Sequence, residues 1–391
     1  MSDQPVVRMG ETSAGVTRPS VSPIYQTTAF DVPDLEILQQ LYAGQLTGDI
    51  YTRDSNPGMR ALAQSIAGLE QTEAGAVFAS GMGALGSIFL TLLSAGDHVL
   101  TARSLYGKTL QLASRMQRFG ISVSAFDVSG PAQLTAQLQP NTRFVLVETV
   151  ANPLLEVADI PALVAAAGSV PLIVDSTFTT PELIRPCQLG AAAVIHSASK
   201  YLNGHGDVML GVAAGSAQLM ARLNETASIF GQNANPFECW LTQRGLRTLP
   251  LRMRQICSTA GRLAQFLTTH PAVLKVHHPS LPQHPSHALA ERMYPQGTGG
   301  IVAIELQTGG RTGIETVNQF MHSVPQLPFS PTLADARTTL SHPALTSHRF
   351  LSPEVRSAAG ISDALLRISV GLEPLDVLVQ EFDAGLKTLL K

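Results

Sequence analysis

Between about residue 57 and residue 232, short apolar runs alternate with longer segments whose apolar positions recur every three or four residues. The runs are GAVFAS (75–80), HVLTA (98–102), RFVLVE (143–148), PLIVDS (171–176) and AAVIHS (192–197). The periodic segments include MRALAQSIAGLEQ (59–71), MGALGSIFLTLLS (82–94) and KTLQLASRMQRF (108–119). Runs without polar alternation are strands buried on both faces, and interleaved helices supply the cover, so the pattern predicts a large, mostly parallel sheet of α/β class. GQNANPF (231–237) marks a boundary. Beyond it come a helical run over about 237–269, a loop HHPSLPQHPSH (277–287), IVAIEL (301–306), a helix near 313–322, LLRISVGL (365–372) and an amphipathic helix over 375–390. These predict a smaller α/β unit. The first 45 or so residues are rich in Pro, Ser and Thr without sustained periodicity and read as an arm. The expected division is therefore an arm over 1–50, a large domain over 51–232 and a C-terminal domain over 233–391.

Ligands of open parallel sheets bind outside the carboxyl ends of the strands. Here the polar residues gather at those ends: Ser80, Gly81 and Met82 after one run, Glu148 and Asn152 after another, Asp175 and Ser176 after a third, and Ser197, Ser199 and Lys200 after a fourth.

Composition narrows the classes. The 391 residues are 14% charged and 45% hydrophobic, so much surface must be buried in a core or between subunits. A net charge of −3 offers no basic field for nucleic acid. No apolar run reaches the length of a membrane span; LGSIFLTLLSAG (85–96) is too short and contains glycines. The N-terminus has no apolar signal-peptide core, and three cysteines without a CxxC pattern read as reduced thiols; both favour the cytoplasm.

GMGALG (81–86) satisfies GxGxxG, follows a strand and opens a helix. A nicotinamide dinucleotide would want an acid about 20 residues on, at the end of the next strand, where LTARS (100–104) has none. The glycines also serve close helix–strand packing, or bind a different phosphate-bearing ligand at the helix N-terminus. Lys200 and Asp175, each ending a strand, suit that third reading. Pyridoxal phosphate needs a lysine amine for its aldehyde and a carboxylate to keep its pyridine nitrogen protonated. Ser197 and Ser199 add hydroxyl donors for the phosphate. The plain alternatives are a helix cap for Asp175 and a surface stem for Lys200.

SASKYLNGHGDVMLGV (197–212) resembles the pyridoxal-phosphate lysine signature of the Cys/Met-metabolism, or trans-sulfuration, enzymes. PSVSPIYQTTAF (19–30), YTRDSNPGMRALAQSIAGLE (51–70), SGMGAL (80–85), LYGKT (105–109), ETVANPLLEVADI (148–160), VDSTFTTP (174–181), RGLRTLPLRM (244–253), HPSLP (278–282) and AAGISDALLRISVGLE (358–373) follow in the family's order. The resemblance covers nearly the whole chain and implies the fold type I of pyridoxal-phosphate enzymes. It implies that Lys200 bonds the cofactor and then shuttles protons between substrate carbons. Asp175 would pair with the ring nitrogen, and Gly81, Met82, Ser197 and Ser199 would cradle the phosphate. Tyr51 and Arg53 would reach that phosphate from a neighbouring subunit, completing the site in a dimer, usually within a tetramer. Tyr106 would stack on the ring and act on the amine or leaving group, Asn152 would bond near the ring oxygen, and Arg367 would clamp the substrate α-carboxylate.

The chain departs from the family's pattern around 325–345. Pro331, Thr332, Leu333 and Ala334 stand where Glu-Ser-Leu-Gly is frequent. No carboxylate is left there for a second amino group such as cystathionine's, and Thr332 takes the place of a substrate-positioning serine. Lys108 stands where methionine γ-lyases carry a cysteine; it meets an anionic leaving group or points to solvent. Ser176 and Ser199 replace the more usual Asn and Thr. The histidines at 277, 278, 284 and 287 match no zinc spacing and read as a structural loop, with no metal expected. His205 reads as a structural histidine. The expected activity is γ-replacement on sulfur amino acids or homoserine esters, closest to cystathionine γ-synthase, with γ- or β-elimination second. An NADP-dependent oxidoreductase and a non-catalytic pyridoxal-phosphate binder are the alternatives of other classes.

Overall fold

The computed structural model describes residues 19–391, so the first 18 residues of the expected arm lie outside it. Within the rest of that stretch a helix, α1 (Leu35–Tyr42), is capped by Asp34, whose carboxylate accepts the Ile37 N–H at 2.8 Å. None of its residues is buried within the chain, which is why its apolar positions carry no core signal.

Seven strands form the first sheet: β1 (Ala74–Phe78), β2 (His98–Ala102), β3 (Ser122–Phe126), β4 (Thr142–Glu148), β5 (Leu172–Asp175), β6 (Ala193–Ser197) and β7 (Gly211–Gly215). Their order is β1-β7-β6-β5-β4-β2-β3. Strands β3, β2, β4, β5 and β6 pair in parallel, while β7 runs antiparallel to both β6 and β1. The sequence signals for β3 and β7 are weak. Ser122 and Ser124 break the apolar run in one, and the other is GVAAG, with little side chain to register. Helices α2 (Pro57–Glu70), α3 (Gly81–Leu92) and α4 (Gly107–Met116) are among those covering this sheet. Phe78, Phe89, Phe126 and Phe144 lie wholly inside its core, which also draws in Cys239, Leu249 and Met253.

A second sheet is antiparallel, with β8 (Val273–His277), β9 (Ile301–Leu306), β10 (Thr339–Ser341) and β11 (Leu365–Ser369) in the order β10-β11-β9-β8. The expected single helical run after residue 237 is two helices, Pro236–Leu246 and Leu249–Thr268. Pro250 explains the break: it has no N–H, and its ring collides with the carbonyl four residues back, so a helix must restart there. Among the described residues no helix is long and apolar enough to cross a membrane.

The start of α3 is wedged against the strand ends. A Cβ on Gly81 would come within 2.9 Å of Ser197 Cβ, and one on Gly211 within 2.1 Å of the Ser80 carbonyl oxygen. A methyl at 211 must therefore push the Ser80–Gly81 turn away from β7. We expect Gly211→Ala to lose about 1–3 kcal/mol of stability, several degrees in Tm, together with affinity for pyridoxal phosphate. Thermal melts and cofactor titration check this; unchanged values in both would show that the turn yields freely.

Candidate active site

The turn after β6 is fixed before its lysine does anything. Lys200 N–H bonds the Ser197 carbonyl at 3.1 Å, and Gly204 N–H bonds the Lys200 carbonyl at 2.8 Å. The buried Arg252 guanidinium donates to the carbonyls of Tyr201 at 2.6 Å, Leu202 at 3.3 Å and Gly245 at 2.8 Å. Gly204 sits at φ +77°, and a Cβ there would run into Arg252, so that glycine is needed on both counts. Tyr201 is wholly buried and accepts the Gly300 N–H through its hydroxyl at 3.1 Å.

The Lys200 side chain enters a cavity of about 540 Å³ between the two sheets. Its Nζ donates to Thr332 Oγ1 at 3.0 Å. The Thr332 carbonyl accepts Arg367 Nη2 at 2.9 Å, and Asn152 Oδ1 accepts Arg367 Nη1 at 3.1 Å. Arg367 Nε is buried without a partner among the described residues. Burial lowers the Arg367 pKa to about 10. Burial first, and the Arg367 charge second, lower the Lys200 pKa to about 8. The amine thus reaches its neutral, nucleophilic form near physiological pH.

The floor carries the opposite sign. Glu148 and Asp175 are register partners at the ends of β4 and β5, so their side chains share one face. Desolvation raises both pKa values above the ordinary carboxylate range, and the Asp175 charge adds to the rise at Glu148. Neither is in an ion pair among the described residues. Asp175 Oδ1 accepts the Thr177 N–H at 3.0 Å and its hydroxyl at 2.5 Å, and Thr177 Oγ1 in turn accepts the Ser197 N–H at 2.9 Å. Glu148 Oε1 accepts the Tyr106 N–H at 2.5 Å. Tyr106 is the cap position of α4 and has no side-chain cap of its own, so the Glu148 carboxylate anchors the segment that carries the tyrosine ring.

Of the residues singled out in the sequence, Gly81, Met82, Tyr106, Lys108, Asn152, Asp175, Ser197, Ser199, Lys200, Thr332 and Arg367 all line this one cavity. The Ser199 hydroxyl is also held by Leu210, whose N–H it accepts at 3.0 Å. Lys108 Nζ donates to Gln111 Oε1 at 3.0 Å. Tyr51 and Arg53 are elsewhere, in a second cleft with Thr28 and Asn235, the guanidinium 4.9 Å over the tyrosine ring. Within one chain they do not meet Lys200. Thr177 and Arg252 have roles that the sequence does not announce, since Thr177 acts on Ser197 and Arg252 on Tyr201, partners far along the chain. His205 Nδ1 bonds the Asn203 carbonyl at 2.7 Å. Burial drives His277 and His278 down to about 4, and no metal-holding group occurs among the described residues.

These features fit pyridoxal phosphate. The start of α3 turns its first N–H groups and the Ser80 and Ser197 region toward the cavity. A lysine with a lowered pKa faces a pair of carboxylates that lack a cation and would be relieved by a protonated ring nitrogen. The arrangement defines a pyridoxal-phosphate-dependent enzyme of fold type I. More narrowly, the chain belongs to the Cys/Met metabolism PLP-dependent enzyme family, whose profile matches residues 3–387. It is 40% identical over 351 residues to an O-succinylhomoserine sulfhydrylase of Pseudomonas aeruginosa, covering 89% of this chain and 86% of that one. It is 37% identical over 375 residues to an L-methionine gamma-lyase of Porphyromonas gingivalis, covering 94% and 93%. Its structure matches cystathionine gamma synthase from Xanthomonas oryzae pv. oryzae with a TM-score of 0.90 at 32% identity, covering 98% and 97%. The nicotinamide reading of GMGALG is set aside.

Two outcomes follow from the charges. The rate at which apoprotein takes up pyridoxal phosphate, followed by visible absorbance, should rise with pH to a midpoint near 8, because only the neutral amine attacks; a midpoint near the unperturbed 10.5 would mean a solvated amine. Glu148→Gln keeps an acceptor for the Tyr106 N–H and Glu148→Ala does not. The alanine variant should lose about tenfold or more in kcat with cofactor bound, and the glutamine variant much less. Equal losses in the two would remove the anchoring role.

Proposed function

We propose that the protein catalyses γ-replacement on a homoserine ester, placing a thiol sulfur on Cγ where the ester oxygen leaves, in the manner of a cystathionine γ-synthase. The observation that carries this is the Lys200–Thr332–Arg367 chain, which sets a neutralisable amine beside a carboxylate-binding guanidinium. Arg367 grips the substrate α-carboxylate through its unpartnered Nε and an adjacent Nη, and so presents Cα and Cβ to Lys200. Lys200 would hold the cofactor; freed when the substrate amine binds there, its neutral amine would take the Cα proton, release it to the bound cofactor, and so be neutral again to take a Cβ proton. Bound pyridoxal phosphate supplies the electron sink that makes those protons removable. Asp175 keeps the ring nitrogen protonated, and Gly81, Met82, Ser197 and Ser199 hold the phosphate. Tyr106 covers the ring and assists the departing group, while Asn152 orients Arg367 and lies near the ring oxygen.

The relatives support this chemistry, since one is named for O-succinylhomoserine and a structural neighbour for cystathionine synthesis. γ-Elimination is the second reading. It is favoured by the methionine gamma-lyase relative and by Pro331, which offers no carboxylate to the amino group of an acceptor such as cysteine. We further propose a cytoplasmic homo-oligomer, at least a dimer, in which Tyr51 and Arg53 of one copy complete the phosphate site of the other. Their exposure in a cleft apart from Lys200 supports this. The division at 50 and 232 into arm, cofactor-binding domain and C-terminal domain is part of the same proposal.

The test supplies a homoserine ester with and without cysteine and measures 2-oxobutanoate and the thioether product. Cysteine should divert turnover from the oxo acid to the thioether. Oxo acid formed at one rate in both cases would rule out replacement and leave elimination. Arg53→Ala should weaken cofactor affinity although Arg53 lies outside the cavity of its own chain; unchanged affinity would remove the shared site.

A further inference from the structure

The outer wall of the cavity joins the family motif LYGKT to residues 347–350, which none of the family motifs includes. Gly107, at the first position of α4, lies so close to the loop before β11 that a Cβ there would sit 2.3 Å from Phe350 Cε1 and 2.4 Å from the Ser347 carbonyl oxygen. This contact sets Arg349 beside the cavity on the same outer wall as Lys108, and both line it. Both side chains are exposed, and neither is in an ion pair among the described residues. The Lys108 ammonium donates to a neutral amide, that of Gln111, which leaves its charge uncompensated. The acids lining the cavity are Glu148 and Asp175, both at the floor. The nearby His348 is held neutral, its pKa lowered to about 4 by burial and the Arg367 charge, so it adds no charge to this wall near neutral pH. Position 331, which also lines the cavity, is proline.

A substrate whose α-carboxylate is gripped by Arg367 and whose Cα and Cβ meet Lys200 must run its γ-substituent toward the mouth. Among the described residues that line it, that mouth carries the two unpaired positive charges and no carboxylate. We propose that Lys108 and Arg349 form a distal subsite that binds a terminal anion on the γ-substituent, so that the substrate is a homoserine ester ending in a negative charge. A dicarboxylic half-ester and a phosphate ester share that chemistry. The inference rests on the γ-replacement reading and adds to it the residues that select the ester.

The test compares kcat/KM for O-succinyl-, O-phospho- and O-acetyl-L-homoserine in the wild type, Arg349→Gln, Lys108→Gln and the double variant, each with its visible cofactor band verified. Two partly exposed charges at about threefold each give roughly a tenfold preference for an anionic ester over the acetyl ester, shrinking as salt is raised. Each single variant should cut the anionic-to-acetyl ratio about threefold, and the double variant should bring it near one. The better of the two anionic esters identifies the source of the anion. Acetyl ester used as well as both anionic esters by the wild type, or a ratio unchanged in the double variant, overturns the subsite. If none of the esters turns over, the γ-replacement reading fails, and a binding arm decides the subsite separately. L-2-Aminopimelate should then perturb the cofactor band at lower concentration than the neutral L-2-aminooctanoate, and lose that advantage in the double variant. Equal concentrations for the two amino acids in the wild type would overturn it.

Discussion

A guanidinium is held inside this protein without a carboxylate. Arg367 is only 4% exposed, its acceptors are the neutral Asn152 Oδ1 and Thr332 carbonyl, and its Nε has none among the described residues. Leaving such a donor unmet costs about 1–3 kcal/mol, more for a charged group. The fold bears that cost because the three elements involved are fixed by other means. Asn152 follows a strand of the large sheet, Arg367 sits within β11 of the small one, and the Thr332 loop is tied to β11 by the Ala334 N–H on Ser369 Oγ at 2.7 Å. In the proposed reaction the unmet charge is what a substrate carboxylate would satisfy, and the same charge helps bring the Lys200 amine to about 8. Binding and activation of the amine thus share one cause.

The floor mirrors this arrangement. Glu148 and Asp175 sit side by side because parallel register puts them there, and burial makes their joint ionisation unfavourable. Cations on one side and carboxylates on the other give a cavity whose field suits a ring with a protonated nitrogen at the floor and an amino-acid carboxylate at the guanidinium. The α3 turn supplies the remaining anion site, and its position depends on two glycines that have no room for a Cβ.

Much of this is legible in the sequence. Strands β2 and β9 match their apolar runs residue for residue, because a buried parallel or central strand tolerates few polar positions. The carboxyl-end rule alone places Lys200, Asp175 and Gly81 on one edge of the sheet. What stays hidden is what depends on distant partners. GVAAG has too little side chain to announce β7, and the 237–269 run conceals a break because its only local sign is Pro250. Glu148 shows as a strand end, yet its bond to the Tyr106 N–H joins residues 42 apart, and no spacing encodes it. Arg349 gives no signal at all, since its place depends on the packing of Phe350 against Gly107.

The residues most visible in the sequence are therefore those that hold the cofactor, which every reaction of the family shares. Of those set by long-range packing, Thr177, Arg252 and Glu148 brace the cofactor side of the cavity, and Arg349 lies where the proposed γ-substituent would run. The two groups also differ in their freedom to change. Gly81, Gly204 and Gly211 have no room for a Cβ, and Arg252 is held by three buried carbonyls, so substitution there disturbs the fold as well as the site. Lys108, Pro331 and Arg349 are exposed and carry no buried load, so they can vary without touching the Lys200–Thr332–Arg367 chain. Departure from the common pattern at Lys108 and Pro331, with Lys200, Asp175 and Arg367 in place and only the mild exchanges at Thr332 and Ser199 among their neighbours, fits a shared mechanism adapted to a different γ-substituent.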